Sequence, residues 1–203
     1  MTKKLIALDL DGTLLRPDGT ISEFTKKTIK DVQEKGHQII IATGRPYRMA
    51  IDYYKDLGLE TPLITFNGSL TNLPDREWNY EHSVKLDKKY LINLLKRQDE
   101  LQMDFLASEY RRHFYITMKY PERIQPELFG VDKIIESMRL EPHKITSNPN
   151  ALLIQTRHED KYQLADDIKK DFNREIEVDS WGGPHNILEF SPKGINKDRK
   201  SVV

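Results

Sequence analysis

Short apolar runs alternate with amphipathic stretches through roughly the first eighty residues, a rhythm that restricts the chain to βαβ units built on a parallel sheet. Leu5-Ile6-Ala7-Leu8 reads as a buried strand. Ser22 can cap a helix whose inward face carries Phe24, Ile29 and Val32, and Gly36 stands where a left-handed cap closes such a helix. Residues 38–42 (Gln-Ile-Ile-Ile-Ala) read as the second strand. Pro46 is placed as the first residue of a helix running to Gly58, and Pro62 to Phe66 make a third strand. Asn67-Gly68 and the run from Trp78 to His82 predict a hairpin rather than another crossover.

The spacing changes near Ser83. A helix from Asp87 to Gln102, strands at Asp104–Ala107 and His113–Thr117 and a helix from Val131 to Leu140 are expected. A strand at Ala151–Gln155, a helix at Glu159–Phe172 and strands at Glu175–Ser180 and Asn186–Phe190 follow. The expected organisation is therefore an α/β core of residues 1–82 plus 189–203, with an inserted α/β module of residues 83–188. The 203 residues are ample for such a core.

Composition narrows the partners. The chain has 32 Lys+Arg against 32 Asp+Glu, so it carries no basic footprint for nucleic acid. No apolar run approaches the ~18 residues of a spanning helix. The apolar stretch at Leu5 to Leu8 is interrupted by Asp9 and Asp11, which disqualifies it as a signal h-region. No Cys is present, which removes disulfides and thiolate metal sites. These features predict a cytoplasmic protein that engages neither membrane nor nucleic acid.

Asp9-Leu10-Asp11-Gly12-Thr13 follows directly on the first strand, at the edge where open α/β sheets bind ligands. Two carboxylates so placed suit a hard cation such as Mg²⁺, and one of them is able to attack phosphorus. A polar turn explains the same fragment equally well. Thr43 and Gly44 end the second strand and open the next helix, a placement that serves either a phosphate cradle or a plain helix cap. Asn67-Gly68 closes the third strand as a turn. Arg45 and Arg48 are able to reach a second anionic group or to stand exposed, and Arg111-Arg112 lie in a tight turn of the inserted module. The six histidines are scattered with no i,i+4 pair, and none is assigned to a metal.

Taken together, Leu8-Asp9-Leu10-Asp11-Gly12-Thr13, Thr43-Gly44-Arg45, Asn67-Gly68 and Gly194-Ile195-Asn196-Lys197 after a long insertion resemble the haloacid dehalogenase (HAD) superfamily. Within it the chain resembles Cof-type sugar-phosphate phosphatases with the larger, type IIB α/β cap, over essentially its whole length. The resemblance implies a Rossmann-like core and an Mg²⁺-dependent phosphatase that hydrolyses a small phosphorylated metabolite through an aspartyl-phosphate. It implies that Asp9 is the nucleophile and a metal ligand. Asp11 would be the general acid/base, its carbonyl also binding the metal. Leu10 would offer its backbone N–H to the phosphate, with Thr43, Gly44 and Lys197 also binding it. Lys193, four residues before Lys197, reads as a solvated loop charge.

The family continues past its lysine to a Gly-Asp-x-x-Asn-Asp motif whose acids complete the metal shell, and Asp198-Arg199-Lys200-Ser201-Val202-Val203 does not carry it. The sequence reading therefore expects a C-terminally truncated core with a bare edge on the first strand. It leaves an alternative to the phosphatase: a catalytically impaired remnant that at most binds phosphate compounds.

Overall fold

The computed structural model describes residues 2–195. The described residues divide into two units, 2–83 and 84–195.

The first unit is built on β1 (Leu5–Leu8), α1 (Glu23–Glu34), β2 (Gln38–Ala42), α2 (Tyr47–Asp56), β3 (Leu63–Thr65), β4 (Leu70–Asn72) and β5 (His82–Ser83). Its five strands among the described residues lie in chain order. β1, β2 and β3 are parallel, with Leu8 opposite Ile41 and Ala42 opposite Ile64, and β4 and β5 add antiparallel. A hairpin does turn at Asn67-Gly68, as β3–β4, but its second strand is Leu70–Asn72 and not the expected run from Trp78 to His82, of which only His82 enters a strand. Ser22 caps α1 by accepting the Thr25 N–H at 3.0 Å, and Gly36 just beyond it has φ +84°. Pro46 precedes α2 with extended ψ rather than lying inside it.

Two apolar placements differ from the sequence reading. Phe24 is 80% exposed. It lies five residues before Ile29, roughly 140° round a helix of 3.6 residues per turn, so the two do not share a face. β1 was expected to be buried, yet Leu5 is 56% exposed, because among the described residues β1 pairs only with β2 and forms the sheet's edge.

The second unit carries α3 (Lys88–Lys96), β6 (Met103–Glu109), β7 (Phe114–Ile116), β8 (Ala151–Thr156), α4 (Lys161–Asp171), β9 (Ile176–Ser180) and β10 (Ile187–Pro192). Its antiparallel sheet runs β7-β6-β8-β10-β9. Tyr90, Leu91 and Leu94 of α3 and Leu164 and Ile168 of α4 cover one face, together with Leu106, Ile154 and Phe190 from the strands. A second cluster of Phe105, Phe114, Phe129, Leu153 and Ile187 lies apart from it.

No helix forms over Val131–Leu140. The segment is irregular apart from one short turn at Glu136–Met138. It ends with Arg139 bridged to Ile116 and the Leu140 N–H donating to the Ile116 carbonyl at 2.8 Å. Adjacent β-branched Ile134 and Ile135 weaken a helix, and packing against the Phe129 cluster replaces it. The second boundary also moves. β10 runs through Pro192 between β8 and β9, so residues 189–195 belong to the second unit and not to the first.

Candidate active site

Parallel pairing brings the C-terminal ends of β1, β2 and β3 to one edge, and backbone bonds lock their exits together. The Thr43 N–H donates to Ile64 O at 3.0 Å, Asn67 N–H to Thr43 O at 3.3 Å and Phe66 N–H to Arg45 O at 3.1 Å. Phe66 and Asn67 both take left-handed backbone, with φ +51° and +56°. Such residues persist only where surrounding structure holds them, and they gather at functional sites.

After β1 the chain makes a wide turn in which the Leu15 N–H reaches back to Leu10 O at 2.9 Å. Gly12, at φ +70°, supplies the left-handed residue this turn requires. Asp9 begins the turn half-buried, its Oδ1 accepting the Leu10 N–H at 2.9 Å. The amide that the sequence reading gave to a phosphate is therefore held by the neighbouring carboxylate.

Thr43 is fully buried, and its hydroxyl accepts the Arg45 N–H at 3.1 Å. A Cβ on Gly44 would meet Asn67 Oδ1 at 2.9 Å, so this position admits only glycine without a shift of Asn67. Asn67, assigned from sequence only as a turn residue, thus packs directly on the Thr43-Gly44 exit.

The sequence reading missed the partnership of Asp11 and Arg45. The guanidinium donates from Nε to Asp11 Oδ2 at 2.9 Å and from Nη2 to Oδ1 at 2.7 Å, joining the exits of β1 and β2. The carboxylate raises the proton affinity of Arg45 above its ordinary value. Beside this pair opens a cleft of about 490 Å³ lined by Asp11, Gly12, Leu15, Arg16, Pro17, Gly19 and Arg45.

Asp9, Leu10, Asp11, Thr43 and Gly44 all lie on the exits of the first two strands. Lys197 lies outside the described residues. Arg111-Arg112 occupy the turn between β6 and β7, closed by Tyr110 N–H to His113 O at 2.9 Å, in the second unit. No group of three or more His, Asp or Glu side chains gathers for a metal among the described residues. No helix there is long and apolar enough to cross a membrane.

Comparison with known proteins gives this arrangement a context. The family model described as haloacid dehalogenase-like hydrolase matches residues 6–200. The chain is 31% identical over 196 residues to 5-amino-6-(5-phospho-D-ribitylamino)uracil phosphatase YitU of Bacillus subtilis, covering 95% of this chain and 71% of that protein. A haloacid dehalogenase-like hydrolase from Bacteroides thetaiotaomicron superposes with a TM-score of 0.78 at 21% identity, over 99% of this chain and 75% of that one. The HAD subclass IIB sugar phosphatase BT4131 does so with a TM-score of 0.70 at 15% identity, over 99% and 74%. At these identities the structural likeness speaks for the fold.

Proposed function

The chain belongs to the haloacid dehalogenase-like hydrolases, among their Cof-type phosphatases, and we propose that it hydrolyses a small phosphorylated metabolite, a sugar phosphate or similar, with Mg²⁺. The observation that carries the reading is the pair Asp9 and Asp11 on the exit of β1, joined through Arg45 to the Thr43-Gly44 exit of β2. The relative YitU is named for a phosphorylated ribityl compound, which supports a small phosphomonoester as substrate.

In this reading Asp9 attacks phosphorus, the bond to the leaving oxygen breaks, and Asp11 delivers the proton that oxygen needs. Water then attacks the aspartyl-phosphate, Asp11 takes its proton, and Asp9 and inorganic phosphate are released. The Thr43 hydroxyl, the Gly44 amide and the positive end of α2 hold the phosphoryl oxygens. Lys197 is proposed to add positive charge there. Positioning and charge neutralisation dominate such chemistry.

The donors present fit Mg²⁺, which takes hard oxygens, needs only one or two protein carboxylates beside a phosphate and keeps waters in its remaining positions. The Asp9 carboxylate and the Asp11 carbonyl would hold it. When bound, the ion would neutralise charge on the phosphoryl oxygens.

One observation favours a second reading, a protein that binds phosphate compounds with little turnover: no third acidic ligand joins Asp9 and Asp11 among the described residues. Hydrolysis of p-nitrophenyl phosphate, assayed with Mg²⁺ and after EDTA, separates the two. The phosphatase reading expects phosphate release that chelation abolishes and added Mg²⁺ restores. Phosphate binding without release would establish the second reading, and release untouched by EDTA would remove the metal from the first.

A further inference from the structure

We propose that Arg45 is the positioning residue for Asp11 in its base form, a guanidinium fork that holds the ionised carboxylate at the mouth of the cleft in the orientation from which it takes the proton of the attacking water. The proposal rests on the phosphatase reading for its catalytic consequence and on geometry for the pairing itself.

Asp11 needs such a partner. It sits in a turn beside Gly12, where a Cβ would meet nothing within 4 Å, and its side chain is 59% exposed. A carboxylate so open to water samples several rotamers unless something fixes it. Two parallel N–H donors fix both oxygens at once, which a single point charge does not do. The pair has little to offer stability, since exposed ion pairs contribute about 0–1 kcal/mol. Its geometric specificity is what distinguishes it.

Arg45 is itself held from several directions. Its N–H donates to Thr43 Oγ1 at 3.1 Å and its carbonyl accepts the Phe66 N–H at 3.1 Å, so the backbone is tied to the β2 and β3 exits. Its guanidinium carbon lies 5.4 Å from the centre of the Tyr53 ring on α2. The Tyr53 hydroxyl in turn donates to Gly19 O at 3.0 Å, in the turn Arg16–Thr20 that lines the cleft. That turn is closed by Arg16 N–H to Thr20 O and Gly19 N–H to Arg16 O, both 2.9 Å. The Tyr53 ring and, through its hydroxyl, the turn thus support the guanidinium beside its bond to Asp11. An arginine waiting for a second anionic group on the substrate would instead leave its fork toward solvent.

The test combines kinetics with a readout independent of turnover. In Arg45→Ala, with folding checked by circular dichroism, kcat for p-nitrophenyl phosphate should fall about 10- to 100-fold with KM changed less than about threefold, because a misplaced group costs rate rather than binding. Free guanidinium should recover part of kcat, ammonium should not, and Arg45→Lys should stay nearer Ala than wild type. In the ¹H–¹⁵N spectrum of the wild type, the Arg45 Nε–H resonance, assigned by its loss in Arg45→Lys, should move in Asp11→Asn. A rise in KM at constant kcat would overturn the proposal in favour of anion binding, and a resonance indifferent to Asp11→Asn would overturn the pairing. A wild type inert toward phosphomonoesters but with the resonance shift would overturn the phosphatase reading and the catalytic role, while the pairing stands.

Discussion

Oδ1 of Asn67 lies 2.9 Å from the place a Cβ would occupy on Gly44, so the exits of β2 and β3 meet at a point where any side chain on residue 44 must displace Asn67. The contact is closer than side chains tolerate, and Asn67 is already constrained by its left-handed backbone and by the N–H it donates to Thr43 O. Gly44→Ala should therefore displace Asn67 and the Thr43 exit, costing about 1–3 kcal/mol of stability by overpacking. Phosphatase turnover should fall more than the loss of folded protein explains. A variant that matches wild type in melting temperature and turnover would show that the exit yields freely.

The second unit offers a test independent of the site. Lys161, 7% exposed, donates from its ammonium to the carbonyls of Trp181, Gly183 and His185 at 2.8, 3.1 and 2.9 Å, drawing the loop between β9 and β10 onto the start of α4. Lys161→Met keeps the aliphatic stem and leaves three carbonyls without their cation, a loss of about 2–4 kcal/mol. Denaturant unfolding measures it. A change below about 0.5 kcal/mol would mean that water replaces the ammonium without cost.

Acid should weaken the same unit through Glu177. Lys169 beside its carboxylate, and then the Gly194 N–H donated at 3.0 Å, hold its pKa below the ordinary 4.5. A carboxyl depressed on folding adds stability above its unfolded pKa and loses it as pH falls through the folded value. Glu177→Gln should therefore be less stable than wild type at pH 7, by about 1 kcal/mol, with the gap closing toward pH 3. Thermal melts at the two pH values report the difference, and a gap that is constant between them would contradict the assignment.

Much of this architecture is readable in the residues because it is locally encoded. The apolar run Ile39-Ile40-Ile41, the Ser22 cap and Gly36 each state a strand, a start and a stop without tertiary help. Val131–Leu140 misled because its apolar residues fit a helical period while the partner that wins, the Phe129 cluster with the Ile116 edge, is distant in sequence. The end of the second unit misled in the same way, since only pairing with β8 and β9 reveals where β10 belongs. At the site, Asp9, Asp11, Thr43 and Gly44 stand out by following predicted strands. The Asp11–Arg45 fork joins residues 34 apart, and Tyr53 behind it carries no motif, so neither was visible until the strands were placed side by side.

The central claim is that Asp9 is the nucleophile of a phosphomonoester hydrolase. The most direct measurement is the Mg²⁺-supported rate of p-nitrophenyl phosphate hydrolysis by wild type and Asp9→Asn, with folding of both verified by circular dichroism. Removing the attacking carboxylate while keeping its shape should lower the rate by about a thousandfold or more. A variant that hydrolyses at the wild-type rate would contradict the account.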